Sequence, residues 1–578
     1  MKSPLTKIFL TACLACLYSI CSAQSATDWP KVITASDGTV IKMYQPQPES
    51  FAGNVLKSRS AISVLENGNA DPIFGTFWST SKVETDRDNR EVSIESIKIS
   101  DIKIPGESDP NKVDFIKSTL ESQIPQSVGQ IPLDEVLASL DQNLEETKMS
   151  NDINNQPPAV SFTTQPSLLV LIDGAPKLQR NDDWGVDVVV NSPYTILRNN
   201  DGNFYLYGGH HWYAAPSATG PYSFAGNNVP ANLSNIETSL NANKQNNNSA
   251  APVADNVVSN IIVSTKPAEL IQSKGEPNFS PIEGTSLLYV KNSDNDIFMD
   301  VNSQQYYVLI SGRWYKSKTL SSNSQWEYTA ADKLPADFAR IPEGSAKDNV
   351  LASVGGTDAA REAVMDAQIP QTAKVDRRTA TTTVTYNGDP QFQSINGTKL
   401  QYAVNTSSTV LRYKGQYYVV DNGVWFISDS PTGPWVVSTE RPDDLDMIPP
   451  SSPAYNTKYV YVYDVTPDYV YMGYTPGYLN SYIYGPTVVY GTGFYYDPWF
   501  GPYYYPRPWS WGFNFGYNPW FGWSFGFGYS YGWFNTGFGY HWGGWHGGWW
   551  GPSIYHPAYC GWGGGYHPYG GYYGRGAG

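Results

Sequence analysis

One motif occurs three times in this chain, and nothing else in the sequence limits the fold as much. It reads Phe204-Tyr205-Leu206-Tyr207 … Trp212-Tyr213, then Tyr306-Tyr307-Val308-Leu309 … Trp314-Tyr315, then Tyr417-Tyr418-Val419-Val420 … Trp425-Phe426. In each copy the second aromatic of the pair lies seven residues before the tryptophan. A later aromatic follows (Tyr222, Trp326, Trp435), then a proline (Pro230, Pro335, Pro442). Upstream, Glu276-Pro277-Asn278-Phe279 … Ile282-Glu283-Gly284 … Tyr289 matches Asp389-Pro390-Gln391-Phe392 … Ile395-Asn396-Gly397 … Tyr402 at a constant spacing of 113 residues (402 − 289). Gln165-Pro166-Ser167-Leu168 … Ile172-Asp173-Gly174 reads as the divergent first copy. A period of about 100 residues marks a folded module rather than a solenoid repeat. Two β-runs flank Asn422-Gly423, a strong hairpin signal. Ser311-Gly312 holds the same place in the second copy, and Gly208-Gly209 lies one residue earlier in the first. Strand alternation sets Tyr418 and Val420 on one face and Tyr417 and Val419 on the other.

The 578 residues around these repeats are too many for one core. Residues 1–23 read as a secretory signal: Lys2 and Lys7, an apolar run from Ile8 to Ile20, and a small-residue cleavage site at Cys21-Ser22-Ala23. Lipoprotein processing at Leu10-Thr11-Ala12-Cys13 is the alternative. Three of the four cysteines (Cys13, Cys16, Cys21) would leave with the signal, so Cys560 alone remains and no intrachain disulfide is expected. No later stretch is apolar enough for a transmembrane helix. The expected location is therefore the periplasm, the outer surface or the extracellular space of a bacterium. A net charge of −15 argues against nucleic-acid binding.

The expected fold class is mainly β: tandem small antiparallel β modules after an N-terminal α+β domain, with a Gly/aromatic low-complexity C-terminal tail. Residues 24–156 form the α+β domain. Its strands fall at 40–44, 61–64, 73–78, 91–94 and 97–104, and its helices run from 110 to a stop at Pro125 and from 133 to 148. Glu84 to Arg90 is a charged hairpin turn that lacks the glycine and ligand spacing of a calcium loop. The first module spans 163–238, a polar linker 239–256, the second module 257–344, a helical connector 345–380 and the third module 381–450. Residues 451–500 read as Tyr-rich β-hairpins, and 501–578 as a disordered Gly/Trp/Tyr-rich tail. An outer-membrane barrel strand is the rival reading of that tail.

Catalysis finds little support. Asp182-Asp183, Asp294 with Asp296, and Asp443-Asp444 are acidic pairs of the kind that loops solvate. Gly-x-Ser-x-Gly at Gly522–Gly526 and Gly528–Gly532 lacks the strand-then-helix setting of a nucleophile elbow. Gly355-Gly356 is followed by no phosphate-loop lysine. His210-His211 reads as an exposed turn. His541, His546, His556 and His567 near Cys560 are weak metal candidates, and no cofactor is expected.

Exposed rigid aromatic rings suit sugars, whose C–H-rich faces lie flat on them. The run Tyr413-x-Gly415-x-x-Tyr418 … Trp425 … Gly433-Pro434-Trp435 resembles the chitin/cellulose-binding modules called carbohydrate-binding family V/XII. The mature chain as a whole is similar to exported bacterial proteins labelled with that family name. The adjacent tryptophan pair of that family is Trp425-Phe426 here. The resemblance implies β structure and binding of a chitin-like, cellulose-like or cell-wall polysaccharide. The sugar-binding residues would be Trp435, Trp425, Tyr418, Trp326, Trp314, Tyr307, Tyr222, Trp212 and Tyr205. For Trp212, Trp314 and Trp425, core packing competes with that role. The later aromatic is the better site, above all Trp435 after its Gly-Pro turn. The function expected is therefore non-enzymatic polysaccharide binding in the envelope. The alternative is a structural or adhesive protein that self-associates through its tail.

Overall fold

Alternating β-branched and aromatic runs need partners on both edges, and the chain supplies them mostly from adjacent sequence. The computed structural model describes residues 29–244 and 258–504, apart from 106, 108, 193, 209, 210, 294 and 502, together with the backbones of Phe513–Asn518 and Gly522–Phe527. The signal region, the four tail histidines, Cys560 and most of the tail lie outside the described residues. The fold is mainly β, and it divides between Leu144 and Glu145 into two compact units.

The first unit is α+β. Its seven-stranded antiparallel sheet runs Lys31–Thr34, Val40–Met43, Val55–Leu65, Ile73–Asp86, Glu91–Lys103 and Gln130–Pro132, with Gln47–Ala52 also on Val55–Leu65. Val55–Leu65 and Ile73–Asp86 are longer than expected. Glu91–Lys103 is one strand where two were read, because bulges opposite Trp78/Ser79 and Lys82/Val83 absorb the breaks in alternation. The charged segment does turn the chain: Asp86 Oδ1 accepts from the backbone N–H groups of Asp88 (2.9 Å) and Asn89 (3.0 Å). Helix Pro110–Ser127 starts at Asp109, whose side chain accepts from Asn111 N. It runs past Pro125, where a stop was expected. Ile124 and Val128 are buried, and Val128 N–H still reaches Ile124 O at 3.0 Å, so one missing donor in the last turn does not end the helix. Helix Leu133–Ser150 follows.

The second unit holds three six-stranded antiparallel meanders, each in chain order. Module 1 runs from Leu178–Asn181 to Ser223–Phe224, module 2 from Phe279–Pro281 to Glu327–Thr329, and module 3 from Phe392–Ser394 to Val436–Val437. One asparagine fixes the start of each. Asn191 Nδ2 donates to the carbonyls of Asp173 and Ala175, while its Oδ1 accepts from Lys177 N. Asn292 makes the same three bonds to Lys274, Glu276 and Asn278. Asn405 makes them to Asn387, Asp389 and Gln391. These clips correct the first copy's register. Its equivalent of Glu276-Pro277 is Ala175-Pro176, not Gln165-Pro166.

Gln165-Pro166 belongs to an earlier feature. Ser167–Leu171 pairs in parallel with Asn260–Ser264, and Ala159–Thr163 pairs in parallel with Ala268–Gln272. Each module's leading pair of strands thus crosses to the other's. Ser167–Leu171 and Ala268–Gln272 are buried throughout, as parallel strands covered on both faces are. Modules 1 and 2 are interlocked rather than strung in tandem.

The connecting segments are more structured than their composition suggested. The stretch read as a polar linker begins inside helix Ala231–Lys244. The connector at 345–380 holds a 3-10 turn (Asp348–Ser353), helix Asp358–Asp366 and also strand Gln371–Asp376, which pairs with Tyr469–Tyr474. The Tyr-rich hairpins form at Val460–Val465 with Tyr469–Tyr474 and at Ser481–Tyr484 with Thr487–Tyr490. They are part of the module core: Tyr455, Val460, Met472, Tyr474 and Tyr482 pack with Trp425, Phe426 and Trp435.

Candidate functional site

The repeated aromatics sit on a sheet whose two faces are both covered. In module 2, Val308, Ile310 and Tyr315 pack against the crossed strands, while Tyr307, Trp314 and Phe298 pack against the segment that follows the sheet. Module 1 divides in the same way.

The first tryptophan of each copy is sealed with its indole N–H satisfied. Trp212 Nε1 donates to Glu237 Oε2 at 3.0 Å, on helix Ala231–Lys244. Trp314 Nε1 donates to Ser353 O at 2.7 Å, at the end of the 3-10 turn. Trp425 Nε1 donates to Val460 O at 3.1 Å, where the Tyr-rich strands begin. The proline after each sheet turns the cover inward. Leu233, Phe338 and Leu445, three residues past Pro230, Pro335 and Pro442, are each fully buried.

The preceding tyrosines are inside too. Tyr205 donates its hydroxyl to Asp201 Oδ2 at 2.7 Å; burial first, and then that carboxylate, push its phenol up to about 12. Tyr307 meets Phe338 edge-on at 5.2 Å. Tyr418 donates to Gln416 Oε1 at 3.2 Å, and burial, with Glu440 adding to it, raises its phenol to about 12.

The later aromatics do not form the exposed site expected of them. Trp435 is 4% exposed and Trp326 8%. The Gly433 turn, at φ 90°, folds the Trp435 ring back on itself, so that a Cβ on Gly433 would lie 2.9 Å from its Cδ1. Both indole N–H groups are buried without an acceptor among the described residues. Tyr222 is half-buried and donates to Ala218 O at 3.0 Å. Eight of the nine residues are buried and Tyr222 is half-buried, because segments outside the repeat close over the face that carries them. Their burial does not favour a stacking platform made of these rings.

Asp443, Asp444 and Asp296 are occupied in structural contacts. Asp443 holds Lys414 Nζ at 2.9 Å, and that bond keeps its carboxyl below the usual range, opposite to what a general acid needs. Asp444 accepts from Lys399 N at 2.7 Å. Asp296 accepts from Lys347 Nζ at 2.7 Å and Asn349 Nδ2 at 2.9 Å, while Asp294 lies outside the described residues. Asp182 and Asp183 are exposed. Gly522–Gly526 falls inside strand Gly522–Phe527, not at a strand-to-helix turn; Gly528–Gly532 lies outside the described residues. His211 is not in an open turn. It begins strand His211–Ala215, with its ring edge-on to Phe224 at 5.1 Å. His210 lies outside the described residues. Among the described residues no group of three or more His, Cys, Asp or Glu is placed to hold a metal, and no helix is long and apolar enough to cross a membrane.

Sequence reasoning missed a second assembly. Arg313 is buried, and its guanidinium donates to Asn155 Oδ1 (2.8 Å), Tyr490 O (2.7 Å), Gly491 O (2.7 Å) and Ser311 O (3.2 Å). Tyr490 N donates back to Ser311 O, and Asn154 N to Thr492 O. Two hairpin tips meet the C-terminal segment. A Cβ on Gly312 would lie 2.5 Å from Val488 O, and one on Gly423 2.5 Å from the Tyr474 ring. Both glycines also have positive φ, so the turns need glycine twice over. The same segment reaches module 1, where Tyr495 hydrogen-bonds Asp173 and Lys177 stands over the Trp499 ring at 5.7 Å. Tyr496 donates to Pro450 O at 2.6 Å. Residues 455–499 therefore bind all three modules together. The arginine beside the second hairpin turn was the available signal.

No family model, no curated protein and no solved structure matches the chain.

Proposed function

We propose that this is an exported, non-enzymatic structural protein of the bacterial envelope. Its three modules form a platform from which the Gly/Trp/Tyr-rich tail starts. The supporting observation is the closure of every repeated tryptophan by a segment outside the repeat, together with the bolting of residues 490–496 onto modules 2 and 3. Repetition here serves to build adjoining cores that one shared segment joins, and strand Phe513–Asn518 of the tail comes back alongside Ser167–Leu171 and Ala268–Gln272. The adhesive part is then the tail, acting through self-association or contact with the envelope.

The test is a comparison of the full chain with a chain ended after Phe500. A cut at Pro450 would remove the segment that joins the modules and so would confuse unfolding with loss of function. The shortened chain should keep its cooperative melting and lose adhesion and self-association. If it binds insoluble chitin, cellulose or peptidoglycan as strongly as the full chain does, the platform reading fails.

Polysaccharide binding is a second reading, favoured by one observation. The opposite sheet faces keep partly open aromatic pairs, Phe279 with Tyr306 (6.3 Å) and Phe392 with Tyr417 (5.5 Å). A sugar site would use those rings, of which Tyr306 and Tyr417 are the first aromatics of the motif pairs.

A further inference from the structure

The three modules present the same corner of the sheet and fill it differently. The corner lies on the face opposite the sealed tryptophan. In module 1 it holds Asp187 and Arg198, cross-strand neighbours whose carboxylate and guanidinium join at 2.5 Å, with Phe204 beside Arg198. In module 2 the same places are Leu288, Met299 and Tyr306, with no charge. In module 3 they are Gln401, Arg412 and Tyr417, with Phe392 next to Tyr417.

Arg412 is exposed, and its guanidinium carbon stands 5.9 Å from the centre of the Tyr417 ring. Its one side-chain hydrogen bond is long and goes to a neutral group, Nη1 to Gln401 Oε1 at 3.5 Å. Among the described residues no carboxylate pairs with it. Module 1 shows what closing this corner takes: one aspartate where module 3 has Gln401.

We propose that this corner of module 3 binds a carboxylate-bearing sugar of an acidic polysaccharide. The inference rests on the polysaccharide reading above and names its sugar class. The planar guanidinium offers two parallel N–H donors matched to a carboxylate. The Tyr417 and Phe392 rings offer an apolar wall to the sugar's C–H face. The Gln401 amide can both donate to and accept from a hydroxyl. The chain's net charge of −15 would repel such a polymer elsewhere, so binding depends on a local cation such as Arg412.

The experiment is titration calorimetry on the full chain with oligogalacturonate, and with a neutral cello-oligosaccharide beside it. Oligogalacturonate should bind, and more weakly as salt rises. Arg412→Gln should weaken binding by roughly tenfold or more. Gln401→Asp, which rebuilds the module 1 ion pair, should do the same while the melting temperature stays unchanged. Asp187→Asn, which leaves Arg198 beside a neutral amide and Phe204, should add a site in module 1 rather than weaken the one in module 3. The proposal is overturned if oligogalacturonate does not bind, or if both module 3 variants bind it as the parent does. Binding of the neutral sugar alone, independent of Arg412, would remove this site and keep the polysaccharide reading. Binding of neither sugar removes both.

Discussion

Modules 1 and 2 set Trp212 and Trp314 at the same point of the same meander, each opposite the strand that carries the tyrosine pair. What closes over them is unrelated. Module 1 uses a helix and a side-chain carboxylate, Glu237, which also accepts from Tyr207 at 3.3 Å. Module 2 uses a 3-10 turn and a main-chain carbonyl, and module 3 borrows a carbonyl from the Tyr-rich segment. The position of the indole thus belongs to the repeat, whereas its cover does not. A buried N–H needs an acceptor, and any segment that brings one while excluding water will serve.

Breaking the shared assembly should cost most. Arg313→Ala leaves two carbonyls and Asn155 without their donor in a dry site. It should lower stability by about 3–5 kcal/mol in urea denaturation. Protection from hydrogen exchange should fall first in residues 481–493. If the loss is confined to module 2, the three-module joint is not there. Next come the sealed indoles. Phe at Trp212, Trp314 or Trp425 loses both ring volume and a hydrogen bond, for about 2 kcal/mol each. Unequal losses would mean that the three unrelated covers do not seal the ring equally well. Glu237→Ala should cost about 1–2 kcal/mol and loosen exchange in module 1 alone; no side-chain change can do this to the acceptors of Trp314 or Trp425. Trp435→Phe sharpens the contrast from the other side. Its indole N–H has no acceptor among the described residues, so the change removes an unsatisfied donor as well as volume, and calorimetry should find less than about 1 kcal/mol either way.

The smallest effect carries a pH signature. Asp337 accepts from the Ser286 side chain and backbone N–H, bonds that hold its carboxyl below the usual range. A depressed folded value means stability that is present above the ordinary carboxylate range and lost as pH falls through the folded value. Parent and Asp337→Asn should therefore differ near neutral pH and converge in acid. A gap that widens in acid would reverse the assignment.

Strand alternation, the Asn-Gly and Ser-Gly turns and the threefold motif are local, and they were legible as such. The first copy's register was not, because a Gln-Pro pair resembles Glu-Pro in isolation. The asparagine clip at Asn191, Asn292 and Asn405 distinguishes them, since it ties the turn to a residue just past a later strand. The crossed parallel strands were also hidden, because their partners lie about 100 residues apart and no local pattern names them.

The site shows the same division most clearly. Sequence alone determined that Tyr417 and Tyr418 face opposite ways, since a strand's period of two allows nothing else. It could not say which side stays open. That was decided by Val460, Ser353 and Glu237, residues far outside the motif that close over one face. Burial is a property of what arrives from elsewhere in the chain, so the open corner at Arg412 and Tyr417 exists only in the folded whole.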